Sequence, residues 1–132
     1  MDKITETVLS QKIDRDALIS GNYIPREGLQ IARKNMENDL IQVITGPRRA
    51  GKSVFALQLL QGIDFGYLNF DDERLIRTTD YDDLIKALHQ VYGKTRWLFF
   101  DEIQNLKDWE LLVNRLQRRG YRILITGQTP TC

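Results

Sequence analysis

Four short apolar runs constrain this chain more than anything else in it: "LIQVIT" (40–45), "FGYLNF" (65–70), "RWLFFD" (96–101) and "YRILIT" (121–126). Each is rich in β-branched or aromatic residues, and each is followed directly by glycine or an acid. Near-continuous apolarity over so few residues suits strands buried on both faces, as in a parallel sheet sandwiched between helices. The intervening segments carry helical periodicity. Residues 52–61 place Phe55, Leu59 and Leu60 on one side, with Gly62 as a C-terminal stop. In "DYDDLIKALHQVY" (80–92), Leu84, Leu88 and Val91 recur at helical spacing behind Asp80, a residue suited to capping. In "DWELLVNRLQRRG" (108–120), Asp108 is the expected N-cap, Trp109, Leu112 and Leu116 form the stripe, and Gly120 ends it. Ahead of the first strand, "PREGLQIARKNMEN" (25–38) starts with Pro25 in the first turn and aligns Leu29, Ala32 and Met36. Residues 1–20 show a weaker pattern, that of a loose arm or an additional helix.

The order is therefore helix, then β-α-β-α-β-α-β, which defines an α/β layered fold with a mainly parallel sheet. At 132 residues, 42% hydrophobic and 28% charged, the chain can bury a core as one domain. Nineteen basic against eighteen acidic side chains give a formal charge of +1, which supplies no general pull toward nucleic acid or a membrane. The arginines of "RLQRRGYR" (115–122) read as a solvated helix end, where cations are favoured. No aromatic-interleaved basic stripe supports nucleic acid. The single cysteine, Cys132, excludes an internal disulfide and fits a reducing, cytoplasmic setting. No apolar run reaches the roughly 18 residues of a membrane span. His89 and Cys132 lack metal-ligand spacing and read as structural.

Chemistry concentrates at "GPRRAGKS" (46–53), which joins the first apolar run to the helix that follows. It matches the phosphate-loop pattern G-x-x-x-x-G-K-[ST] at every fixed position. By composition, that pattern arises by chance in about 0.4% of chains this long. Gly46 and Gly51 are expected to permit positive φ and close approach of the backbone to an anion. Pro47, Arg48, Arg49, Ala50 and Val54 complete the nucleotide-binding loop at the helix N-terminus, all but Pro47 with a backbone N–H to offer. Lys52 is expected on the β- and γ-phosphates of ATP, and Ser53 on Mg2+. The third run ends in two acids. Asp101 is placed to hold the metal, and Glu102 to polarise the water that attacks the γ-phosphate. A base in this position favours hydrolysis over transfer to a substrate hydroxyl. In "ILITG" (123–127), Thr126 is the candidate γ-phosphate sensor, with Gln128 as the alternative.

"YIPRE" (23–27), "GPRRAGKS", "YLNFDDERL" (67–75), "FDEIQNLKDWE" (100–110) and "LITG" (124–127) together resemble a group of prokaryotic AAA-type ATPases. Those proteins carry a P-loop domain followed by a C-terminal domain of poorly defined role. The resemblance covers residues 23–128. It implies ATP as nucleotide, Mg2+ as metal, hydrolysis as reaction, and "DD" (71–72) near the phosphate side; read alone, Asp71 and Asp72 suit a solvated loop. Trp109 reads as a core anchor. "TGQ" stands where the family has "TGS". P-loop ATPases with an added strand and a catalytic glutamate arrange their strands 5-1-4-3-2, and the four runs here correspond to the first four. The expectation is thus an N-terminal arm (1–22) and a P-loop core (23–132) that lacks its fifth strand and helical lid, a fragment of weak turnover. Its first strand would form an apolar edge, unless the arm covers it. A protein partner or homo-oligomer fits this reading. A small-molecule kinase and a non-catalytic nucleotide-binding module are the competing readings.

Overall fold

The structure, a computed structural model, describes residues 2–21, 27–47, 51–77 and 80–128. Its elements are α1 (Lys3–Ile19), α2 (Leu29–Asn35), β1 (Gln42–Gly46), α3 (Lys52–Leu59), β2 (Phe65–Asn69), α4 (Glu73–Ile76), α5 (Tyr81–Tyr92), β3 (Trp97–Asp101), α6 (Trp109–Arg118) and β4 (Arg122–Gln128). The sheet is parallel with order β1-β4-β3-β2, the expected arrangement of the first four strands.

Strand periodicity sorts the core into two layers. Leu68, Leu98, Phe100, Ile123 and Ile125 face one side, where they pack with Leu84 and Leu88 of α5, Leu112 and Leu116 of α6 and Val8 of α1. Phe65, Tyr67, Trp97, Phe99 and Leu124 face the other, against Ala56, Leu57 and Leu60 on and beside α3. The same alternation carries Asp101 and Thr126 onto the α3 side, two residues beyond Phe99 and Leu124. Trp109 packs half-buried against the first layer, as expected of an anchor.

Helix α2 starts at Leu29 behind Gly28 at φ 87° with no side-chain cap, and Pro25, expected in its first turn, lies outside the described residues. Asp80 accepts from the Asp82 N–H at 2.9 Å and caps α5. At the end of α6, Gly120 takes φ 96°, and the Gly120 and Tyr121 amides bond back to Gln117 and Leu116, which closes the last turn. Asp108, expected to cap α6, instead takes φ 57° and its side chain makes no cap hydrogen bond. Its left-handed backbone follows the 3-10 turn at Ile103–Asn105 and redirects the chain into the helix.

The N-terminal segment is a 17-residue helix that lies along β2, not along β1. The Gln11 amide accepts from the Asn69 N–H and donates to the Asn69 carbonyl, both at 3.0 Å, as a neighbouring strand would. One turn on, Arg15 stacks over Phe65 and Tyr92 and donates to the Phe65 carbonyl at 2.7 Å. At the opposite edge, Val43 is 57% exposed and nearby Leu40 69%. Of the arginines between 115 and 122, Arg115 pairs with Asp82 at 2.9 Å, and Arg122 gathers the Met36, Glu37 and Asn38 carbonyls at the end of α2.

Candidate functional site

The C-terminal ends of β1, β3 and β4 and the first turn of α3 converge on one cluster of polar side chains. Gly51 takes φ 78° immediately before α3, the left-handed conformation that favours glycine. Gly46 does not need that freedom: it closes β1 in extended conformation, outside the positive-φ glycines, and contributes its carbonyl. Lys52 and Ser53 open α3, so their N–H groups and that of Val54 belong to the helix end that lacks intrahelical acceptors. Pro47 follows β1 as an exposed residue. Arg48, Arg49 and Ala50 lie outside the described residues.

Lys52 is almost fully buried. Its ammonium donates to the carbonyls of Gly46 at 2.8 Å and Gly127 at 3.0 Å, and it lies 3.3 Å from Oε1 of Glu102. Burial of a lysine demands such partners. Ser53 donates to Oδ2 of Asp101 at 2.7 Å. Asp101 also receives the Tyr67 hydroxyl at 3.1 Å on the same oxygen and the Thr126 hydroxyl on Oδ1. Burial, then the charge and hydrogen bond of Asp101, push the Tyr67 pKa upward, so Tyr67 acts as a neutral donor.

Glu102 adopts φ 54° and ψ 47°, a left-handed conformation uncommon for a residue with a side chain. Three neighbours hold it there. Its N–H donates to the Thr126 hydroxyl at 2.9 Å, its carbonyl accepts from Asn105, and its Oε2 accepts from Gln104 at 2.7 Å. Burial acts to raise the Glu102 pKa. The hydrogen bonds from Gln104 and Lys52, the Lys52 charge and the Gln128 amide outweigh that, and the pKa sits below the usual glutamate value.

The chain thus brings Lys52 and Ser53 of α3, Asp101 of β3, Glu102 in the turn after it and Thr126 of β4 together. Thr126, wholly buried, engages Asp101 and Glu102, whereas the Gln128 amide approaches Glu102 at 3.4 Å. Tyr67 and Gln104 are site residues that the motifs do not mark. Only strand alternation places Tyr67 on the α3 side. Asp72 caps α4 through the Arg74 N–H and pairs with the Arg74 side chain, and Asp71 accepts from Asn105.

Among the described residues, no group of three or more His, Cys, Asp or Glu could hold a metal. One hydroxyl and one carboxylate, Ser53 and Asp101, are hard oxygen donors of the kind Mg2+ uses when phosphates and water complete its shell. A buried lysine beside the N-terminus of a helix is chemistry suited to a polyphosphate.

Fold and site together define an α/β nucleotide-binding domain of the phosphate-loop class. A family model described as an AAA domain matches residues 38–131, and the chain belongs to that family. It is 34% identical over 132 residues to an uncharacterized protein of Methanocaldococcus jannaschii, with 93% of this chain and 30% of the relative covered. It is 32% identical over 122 residues to an uncharacterized protein of Haemophilus influenzae, with 83% of this chain and 30% of the relative covered. The chain therefore spans under a third of the length of these relatives. Among solved structures, the Pif1 helicase from Candida albicans aligns with TM-score 0.46 and 16% identity, over 80% of this chain and 33% of the helicase. No helix among the described residues is long and apolar enough to cross a membrane.

Proposed function

We propose that the chain binds ATP with Mg2+ at the β1–α3 loop and hydrolyses it, with Glu102 as general base, in the cytoplasm. One observation carries the reading: the first two residues of α3, Lys52 and Ser53, meet the two consecutive acids of the β3 end at 3.3 and 2.7 Å. Gly46, Arg48, Arg49, Ala50, Gly51 and Val54 would surround the phosphates with backbone N–H groups and cationic side chains, and Pro47, which has no N–H, would shape the loop. Lys52 would exchange its carbonyl acceptors for phosphate oxygens, which separates it from Glu102. Ser53 and Asp101 would hold Mg2+, whose charge, when bound, offsets that of the phosphates. Glu102, no longer paired, accepts a proton from the attacking water. The water oxygen bonds to the terminal phosphorus, the bond from that phosphorus to the β,γ-bridging oxygen breaks, and ADP and inorganic phosphate leave.

Thr126 holds both acids in register, and Gln128 is the alternative contact for the γ-phosphate. A carboxylate at position 102 favours water as the nucleophile; phosphate release without any acceptor molecule separates this reading from a kinase. Lys52→Ala is expected to abolish binding of a fluorescent ATP analogue. Glu102→Gln is expected to retain binding and to lower phosphate release by at least about 100-fold. Unchanged turnover in Glu102→Gln would remove the base from the mechanism. What the activity serves, in a protein partner or a homo-oligomer, belongs to the longer relatives.

A further inference from the structure

We infer that Gln104 is a positioning residue for Glu102: its amide fixes one carboxylate oxygen and leaves the other for the reaction. The inference rests on the hydrolase reading above. The two oxygens of Glu102 have different neighbours. Oε1 faces Lys52, the partner that phosphate would draw away. Oε2 is held at 2.7 Å by Gln104 Nε2, with Gln128 Nε2 at 3.4 Å. A carboxylate tethered on one oxygen keeps its orientation after the ion pair opens. Without that amide, the opened carboxylate would keep only the longer 3.4 Å contact from Gln128.

The far end of the same amide is also engaged. Gln104 Oε1 accepts from the Gln128 N–H at 3.4 Å, so the amide spans from the turn after β3 to the end of β4. Room for it comes from Gly127. A Cβ built on Gly127 would meet Gln104 Oε1 at 3.2 Å, tighter than an ordinary contact. The glycine of "LITG" thus serves two neighbours at once: its carbonyl receives Lys52, and its missing side chain admits Gln104. Gln104 contributes nothing to the hydrophobic core and is an exposed residue, so its strong bond to a carboxylate is not a packing requirement.

The test is ATP turnover and ATP affinity of the full chain as wild type, Glu102→Gln, Gln104→Met and Gly127→Ala. Gln104→Met is expected to lower kcat about tenfold, with KM for ATP and Tm unchanged, as befits loss of an orienting hydrogen bond to a charged group. Gly127→Ala is expected to act in the same direction by about two- to threefold, because its Cβ presses only on the movable end of the amide. Single-turnover measurement with radiolabelled ATP is expected to show no further loss when Gln104→Met is added to Glu102→Gln. Unchanged kcat in Gln104→Met overturns the inference, and so does a raised KM at full kcat. An equal additional loss in the Glu102→Gln background overturns it too, since Gln104 would then act apart from Glu102. In all three cases the hydrolase reading stands. A wild-type chain that binds ATP but releases no phosphate, or full turnover in Glu102→Gln, overturns that reading and this inference with it.

Discussion

β2 and β1 are both five-residue strands at outer positions of one parallel sheet, yet they meet their surroundings differently. The β2 backbone is completed by side chains: Gln11 serves both polar groups of Asn69, and Arg15 takes the Phe65 carbonyl. Four of its five residues are buried. β1 alternates between half-buried and exposed, with Val43 on the open face. A helix can therefore finish a sheet edge with amides and guanidinium groups, without adding a strand. The apolar content of a strand does not say which kind of edge it will form.

The sharpest way to break the contrast is Gln11→Leu. It leaves the half-buried Asn69 N–H without its acceptor and the Asn69 carbonyl with only the 3.4 Å contact from the Asp72 N–H, and we expect a loss of about 2 kcal/mol in urea unfolding. A loss below about 0.5 kcal/mol would mean that α1 covers β2 by contact alone. Next is Gly66→Ala within β2. The added Cβ would stand 2.9 Å from the tip of Leu98 on β3 and 3.3 Å from Leu88 on α5, so the Leu98 side chain must shift and Leu88 give slightly, at about 1–2 kcal/mol. A neutral result would show looser packing over this edge than the distances require.

Asp72 sharpens the contrast through pH. Hydrogen bonding from Arg74, then the Arg74 backbone, Gln11 and the Arg74 charge, outweigh burial and hold its pKa below the usual aspartate value. A depressed folded pKa stabilises above the unfolded value of about 3.9, and that contribution is lost as pH falls through the folded one. Asp72→Asn should then cost about 0.5–1 kcal/mol at pH 7, since Arg74 is largely exposed, and the gap to wild type should close below about pH 4. A gap constant from pH 7 to 3 would assign the effect to capping alone. The smallest effect is expected from Val43→Lys on β1, within about 0.5 kcal/mol of wild type. A larger loss would show that this face is covered in solution.

The same contrast explains what the amino-acid pattern reveals. The strands and the convergence of Lys52, Ser53, Asp101 and Glu102 were legible, because apolar runs and the G-x-x-x-x-G-K-S spacing are local signals; the strand order followed only from the resemblance to AAA-type ATPases. α1 was poorly legible because the residues that dock it on β2, Thr5, Gln11 and Arg15, are polar and read as surface. Tyr67 escaped notice because nothing in "FGYLN" marks its hydroxyl for an acid on the adjacent strand. Gln104 stood in view within "DEIQ", but its bond to Glu102 depends on a left-handed backbone at 102 and on the absent side chain at 127. Gly46 illustrates the reverse: the motif glycine used its carbonyl, not its conformational freedom.

A lone hydroxyl has one proton to give. Thr126 gives it to Asp101 while a lone pair receives the main chain of Glu102, and so two neighbouring acids are yoked to one strand. A pull on the far end of β4 would reach both in step. Valine there would keep the shape and cut the harness.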